Sequence, residues 1–358
     1  VGAYSQVQLQ KFLTGKTVSI TPYISELNEG VMGSTSPKDL ETALQLIYAY
    51  FTVPRKDADV AAGFISNQKA YLENMKNTST PEQVYGDSLT AILTNYHPLR
   101  TPLKPENMDK VSLDKALEIY KDRFTDASDF VFTLVGAFKI EEIKPLLEKY
   151  LGGLPTTDRN DVYMHPNIFP PSGVINKNIY KGFENKSQVT LVSSGAYEFN
   201  PENNVQLNAL TEVIQIKLTE ALREEESGVY GVGVSSELNK IPSGRYEINI
   251  RFGCAPDNVD KLVKRVWHEV DKIKQDGAES KDIEKYVAEV TRNQQLALKT
   301  NRFWLGYINE SVYYEEDINL VLKQNELLKS ITSNSIKETA IKYFNDQNRI
   351  QVTLMPEK

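Results

Sequence analysis

The sequence predicts an α+β protein built from two similar sandwich domains, each an antiparallel-rich sheet with helices packed on one face. Three observations predict it. The chain has 358 residues, more than the ~250–300 at which a single core stops growing. Two pairs of segments repeat at nearly the same offset. Strand patterns and helix patterns do not alternate one for one, which argues against a doubly wound parallel sheet.

The repeat is the strongest of the three. GSTSPKDLETALQLIYAYF (33–51) aligns with FGCAPDNVDKLVKRVWHEV (252–270), with Pro37 opposite Pro256, an offset of 219. Leu40, Ala43, Leu44, Ile47, Tyr48 and Phe51 fall opposite Val259, Leu262, Val263, Val266, Trp267 and Val270. Spacings of three, four and seven mark one buried helix face. Each proline suits a first helical turn, where the N–H it lacks has no partner to lose. VSLDKALEIYKDRFTDASDFVFTLVG (111–136) aligns with ITSNSIKETAIKYFNDQNRIQVTLMP (331–356), with Phe124 opposite Phe344, an offset of 220. Each of these reads as helix, polar turn, strand, so strands are expected at 129–135 and 349–355.

In the second copy, strands are expected at 174–180, 188–197, 228–238 and 245–253. Helices are expected at about 201–224, 256–275, 280–298, 301–313, 317–328 and 332–344. Asn200-Pro201 reads as a cap followed by a proline at the first helical position, and Ser280 as the next cap. The first copy is shorter at its front: an offset of 220 sets Val1 opposite Ala221, with nothing to match the strands and helix at 174–220. A sheet lacking two strands exposes an unpaired edge. The expectation is that the domain begins upstream of Val1 or that another chain covers the edge. The Pro-, Asp- and Asn-rich stretch 154–173 has no period and reads as a linker. The domains are therefore expected at 1–153 and 174–358.

Composition excludes several classes. Apolar residues are 40% and charged residues 25% of the chain, as in globular proteins rather than disordered ones. No stretch approaches the ~20 apolar residues of a membrane span. A net charge of −7 disfavours nucleic acid as a partner. A single cysteine, Cys254, excludes an internal disulfide and a cysteine zinc cluster, and a small buried thiol is its favoured reading. The opening Val1-Gly2-Ala3 carries neither Met nor signal peptide and reads as the start of an excised piece.

Three histidines leave little room for metal chemistry. Neither H-E-x-x-H nor H-x-x-E-H is present. His97 and His165 are each followed by proline, and His268-Glu269 is followed at 272 by Lys. No G-x-S-x-G occurs. The run Glu224-Glu225-Glu226 reads as a solvated helix end in preference to a base cluster. Gly228, Gly231 and Gly233 do not form a phosphate loop, because they follow a helix and open a strand. A glycine-rich strand lets another backbone approach closely, so this segment is either a peptide-docking strand or an ordinary Gly-rich turn.

At these residues the chain resembles a known family. LREEESGVYGVGV (222–234) is similar to a segment of the pitrilysin and insulinase-like zinc metallopeptidases. In that family an Arg and a Tyr seven residues apart belong to the half that does not hold zinc; Arg223 and Tyr230 have that spacing. RYEINIRFGCAP, NVDKLVKRVWHEVDKI and the closing VTLMP also match. GKTVSITPYISELNEGVMGSTSPKDLETALQLIYAYFT resembles the corresponding segment of long bacterial members. The resemblance implies four α+β domains in two halves that close on substrate, with H-x-x-E-H and zinc in the N-terminal half. This chain lacks that motif, so the resemblance implies a C-terminal, non-zinc half that is inactive by itself. It binds no metal on this reading, and zinc is expected in the missing half.

The implied roles are specific. Tyr230 donates its phenolic O–H to the scissile carbonyl as the oxyanion forms. Arg223 holds the substrate backbone or supports that site electrostatically, and Gly228, Val229 and Gly231 line the path of a peptide. The bland readings are a helix-end cation for Arg223 and a half-buried strand tyrosine for Tyr230. The implied partners are a peptide or unfolded-protein substrate and a zinc-bearing half or chain, and relatives of this type point to the periplasm. Two other functions compete. A non-catalytic subunit or scaffold of a two-chain complex would co-purify with a chain bearing H-x-x-E-H. A peptide-binding module unrelated to proteolysis would bind peptide alone.

Overall fold

The computed structural model describes residues 1–358 apart from Ser227, Asp346 and Lys358, and apart from the side chain of Tyr230. The chain forms two compact units, Val1–Thr78 with Leu103–Pro166, and Ser79–Pro102 with Asn167–Lys358. Segment 79–102, which falls inside the first repeat by sequence, is thus built into the second unit.

The first unit opens with α1 (Gln6–Phe12). Its start is a capping box: Ser5 Oγ accepts from Gln8 N–H and Gln8 Oε1 accepts from Ser5 N–H. The hairpin β1 (Val18–Ile24) and β2 (Glu29–Thr35) is antiparallel, Val18 opposite Thr35. One turn of 3-10 helix begins at Pro37 and runs into α2 (Leu40–Thr52). Asp39 ties this corner together, accepting from Thr17 N–H at 2.9 Å and Ser36 O–H at 2.7 Å. Helix α3 (Ala58–Asn77) follows, and α4 (Pro81–Leu93) leaves for the other unit. The chain returns through α5 (Pro105–Met108), α6 (Leu113–Phe124) and α7 (Ile140–Tyr150). The core of this unit is aromatic. Phe51 packs edge-on to Phe124 at 5.1 Å and to Phe130 at 4.9 Å, a favoured geometry because ring edges and faces carry opposite partial charge.

The second unit holds a five-stranded sheet in the order β3-β7-β4-β6-β5. Its strands are β3 (Gly173–Tyr180), β4 (Ser187–Ala196), β5 (Val229–Asn239), β6 (Arg245–Cys254) and β7 (Asn348–Met355). Only β3–β7 is parallel; the other pairs are antiparallel. The α+β, antiparallel-rich expectation holds. The helices are α8 (Pro201–Leu218), α9 (Val259–Asp276), α10 (Ser280–Ala297), α11 (Asn301–Tyr313), α12 (Leu320–Lys329) and α13 (Ser333–Tyr343). Helices α8, α9 and α13 cover one sheet face through Leu210, Ile214, Leu262, Val266 and Ile336 against Val189, Leu191, Ile248 and Ile250. The alternation of β4 and β6 sends every second side chain into this core.

The opposite face receives α4, a helix the sequence did not assign to this sheet. Tyr85 and Ile92 pack on Val192, Ile350, Val352 and Leu354. The Tyr85 hydroxyl lies 2.8 Å from Thr190 Oγ1 and 2.9 Å from the Val352 carbonyl. Burial pushes its phenol up to about 12.

Two features of the aligned segments recur at matching positions. Proline-led 3-10 turns precede both α2 and α9, and α6 and α13 begin at Leu113 and Ser333, 220 residues apart. The strand expected at 129–135 is corrected: no strand forms there among the described residues. Its counterpart β7 lies between β3 and β4, and the first unit holds no equivalent of either. Alternating apolar residues still send Phe130 and Phe132 to the core, but a ladder needs a neighbouring backbone.

Candidate functional site

The region singled out by sequence, 222–234, joins the end of α8 to the edge strand β5. Asn200 caps α8, its side chain accepting from Asn203 N–H at 2.7 Å, with Pro201 in the first turn. The helix was expected to run to 224. Instead it widens into a π-helical turn over Thr219–Glu225. The Thr219 hydroxyl bonds back to the Gln215 carbonyl at 2.7 Å, a bond that bends helices, and Glu226 N–H reaches back to the Ala221 carbonyl. Such wide turns recur at functional sites.

The turn sorts its side chains. Ala221 and Leu222 are buried, and Leu222 belongs to the main core. Arg223 is exposed and forms no ion pair with a described residue. Two of the three acidic residues behind it are tied down: Glu225 meets Arg265 at 2.6 Å, and Glu226 pairs with Lys261 of α9. The hydrogen bond from Lys261 holds the Glu226 carboxyl below its ordinary range. These are packing roles for Glu225 and Glu226, and Arg223 is the cation left facing solvent.

After the turn, Gly228 returns its N–H to the Leu222 carbonyl at 3.1 Å. Strand β5 then starts with a bulge. Val229 pairs with Cys254 and Val232 with Phe252, so β5 spends one residue more than β6. Tyr230 and Gly231 occupy this irregular stretch. A bulge of this kind bends the strand and re-aims its side chains. The side chain of Tyr230, expected to face substrate, lies outside the described residues.

The three residues expected to line a peptide differ from one another. A Cβ on Gly228 would lie 2.9 Å from Leu262 Cδ2, so this glycine fits against α9. The Val229 side chain is buried in the core, which leaves only its backbone to offer a peptide. Gly231 is exposed, with nothing within 4 Å of a Cβ placed on it.

Sequence reasoning missed Gln215. Its Nε2 donates to the Val232 carbonyl at 3.0 Å and its Oε1 accepts from Val234 N–H at 2.8 Å. These two backbone groups lie on the side of β5 away from β6. The edge that could accept an added strand is closed at 232–234 by a helix side chain. No local pattern signals this, because 17 and 19 residues of chain separate the partners.

The residues present do not fit zinc. Among the described residues no group of three or more His, Cys, Asp or Glu is placed to hold a metal. His97 accepts from Leu99 N–H at 3.3 Å, and His268 is exposed on α9. Burial raises the Cys254 thiol to about 11, which leaves it inert as a nucleophile.

The family model for the peptidase M16 inactive domain matches residues 110–290. The chain belongs to the peptidase M16 family. Its likeness is to PqqL-type proteins in particular. The zinc protease PQQL-like of Arabidopsis thaliana is 24% identical over 286 residues, 75% of this chain and 30% of that protein. The probable zinc protease PqqL of Haemophilus influenzae is 20% identical over 351 residues, 98% of this chain and 37% of that protein. This chain therefore spans about a third of the length of these M16 relatives. The periplasmic protease PqqL of Escherichia coli has the same fold over all of this chain and 39% of its own, with a TM-score of 0.86 at 18% identity. The ferredoxin protease FusC, solved in complex with Arabidopsis ferredoxin, gives 0.84 at 18% identity over all of this chain and 39% of its own. The first half of Escherichia coli PqqL shares the fold too, at 0.72 and 13% identity over 94% of this chain and 75% of that one.

Proposed function

We propose that this chain is the C-terminal, non-zinc part of a zinc-dependent M16 endopeptidase, which grips a polypeptide while a metal held elsewhere is used for cleavage. The observation that carries the proposal is the pairing of two irregular elements in a chain of this family. An exposed Arg223, without an ion-pair partner among the described residues, stands on a π-helical turn, and a bulge with an open glycine follows within a few residues.

The chain's own residues have defined tasks on this reading. Arg223 holds a substrate carbonyl or carboxylate with its fixed fork of donors. Tyr230 donates its phenolic O–H to the scissile carbonyl as negative charge develops there. Gly231 lets the substrate backbone come close without a side chain between. A polypeptide substrate is supported by the relative solved with ferredoxin bound, and a periplasmic location by the relative named as periplasmic. Zinc is assigned to the part of the protein outside this chain, a reading supported by the relatives named as zinc proteases.

The test is Tyr230→Phe in the complete protein, with short peptides as substrates. Loss of an oxyanion donor lowers kcat about 10²–10³-fold, with a much smaller change in KM. Undiminished turnover would remove Tyr230 from the reaction. A complete gene product without H-x-x-E-H that co-purifies with a chain bearing it would instead establish a non-catalytic subunit.

A further inference from the structure

The contacts of Gln215 are unusual in joining three things at once. Its side-chain amide satisfies a carbonyl and an N–H of β5, at Val232 and Val234, as a neighbouring strand would. The same Nε2 lies 2.9 Å from Thr219 Oγ1. Thr219 is the first residue of the π-helical turn that carries Arg223, and its hydroxyl donates back to the Gln215 carbonyl. Val232 is the residue at which β5 regains register after the bulge containing Tyr230. One amide thus pins the start of the Arg223 turn to the end of the Tyr230 bulge.

We infer that Gln215 is a positioning residue of the M16 site, a staple that fixes the Arg223 turn and the Tyr230 bulge relative to each other and occupies the β5 edge at 232–234. The inference rests on the function proposed above. Two chain irregularities in succession give the backbone between them several ways to settle, and a site tolerates little of that freedom. A misplacement of about 1 Å costs on the order of 10²-fold in rate. The amide suits the task because it offers one donor and one acceptor side by side, matching a strand's carbonyl and N–H. A second consequence follows for substrate. With Val232 and Val234 occupied, a peptide cannot add to β5 as a full strand there. The open contact nearest the Arg223 turn is then the bulge, where Gly231 is exposed. Of the two readings the glycines left open, a continuous docking strand running through 232–234 is disfavoured.

The experiment compares Gln215→Ala, Gln215→Glu and Tyr230→Phe in the complete protein. Gln215→Ala is expected to lower kcat about tenfold or more with KM changed by less than about threefold, the signature of lost transition-state alignment. Gln215→Glu separates alignment from folding. Its carboxylate accepts from Val234 N–H but faces the Val232 carbonyl with no proton to give, whereas its neutral form donates to Val232 and accepts from Val234. The ratio of its kcat to that of the unaltered protein is therefore expected to rise as pH falls toward the carboxyl range. Turnover within twofold for both Gln215 variants, a loss confined to KM, or a ratio flat with pH overturns the inference. If Tyr230→Phe loses activity while the Gln215 variants keep it, only the staple fails. If Tyr230→Phe keeps full activity, the proposed function fails first.

Discussion

At the scale of single residues, the glycines of 228–233 show how one residue type serves two ends. Gly228 has Leu262 pressed into the space a methyl group would fill, whereas Gly231 opens onto solvent. Gly228→Ala should lower the unfolding free energy by about 1–3 kcal/mol through overpacking. Gly231→Ala should leave stability within about 0.5 kcal/mol yet reduce peptide turnover in the complete protein. Urea denaturation of both variants, paired with peptide assays, checks the contrast; equal destabilisation would contradict it. Leu222, fully buried beneath the exposed Arg223, should cost about 2–5 kcal/mol as Leu222→Ala. Of these residues, Arg223 and Tyr230 were singled out as candidates by a spacing of seven within a family-like segment. Gln215 was not, because its meaning lies wholly in backbone groups on another element.

At the scale of elements, α8 and α10 are held by a charge cluster around Lys217. Its ammonium meets Glu279 at 2.6 Å, Asp282 at 2.9 Å and Glu220 at 3.2 Å. Burial works against the charge of Lys217, but the three carboxylates more than reverse it and raise its pKa. Hydrogen bonds from Lys217, then Lys281, lower Glu279 to about 2. A depressed carboxyl stabilises the fold above its unfolded value near 4.5 and loses that contribution as pH falls toward 2. Acid unfolding followed between those limits should therefore lose part of its pH dependence in Glu279→Gln. Lys217→Met leaves the buried Asp282 without a counter-ion and should cost about 3 kcal/mol, read by thermal or urea unfolding. The other layer contact, α4 on the sheet, rests partly on the Tyr85 hydroxyl, and Tyr85→Phe should cost about 1–2 kcal/mol. Element boundaries were largely readable: β3 to β7 and α8 to α13 lie close to their expected places, since long periodic patterns report burial directly. The helical run expected to 224 ends at Glu225, but its π-helical form was not readable, because a single wide turn is too short to show a period of its own.

At the scale of the whole molecule, the chain forms two units with different strand content. The second unit has its sheet filled. The first has a hairpin and an aromatic core, with 129–135 left out of any ladder. Segment 79–102 shows the limit of reading domains along a chain, because α4 finds its apolar partners on the second unit's sheet. Among the described residues no helix is long and apolar enough to cross a membrane.

By itself, the sequence determined the α+β class, the absence of a zinc motif, and the family through 222–234. These depend on which residues are apolar, on their period, and on short strings whose chemistry is local. Tertiary structure alone decided that α4 belongs to the second sheet, that 129–135 forms no strand, and that Gln215 occupies the edge of β5 at 232–234. Each of those depends on a partner far along the chain, and hydrogen bonds and packing surfaces have no address until the backbone brings them together.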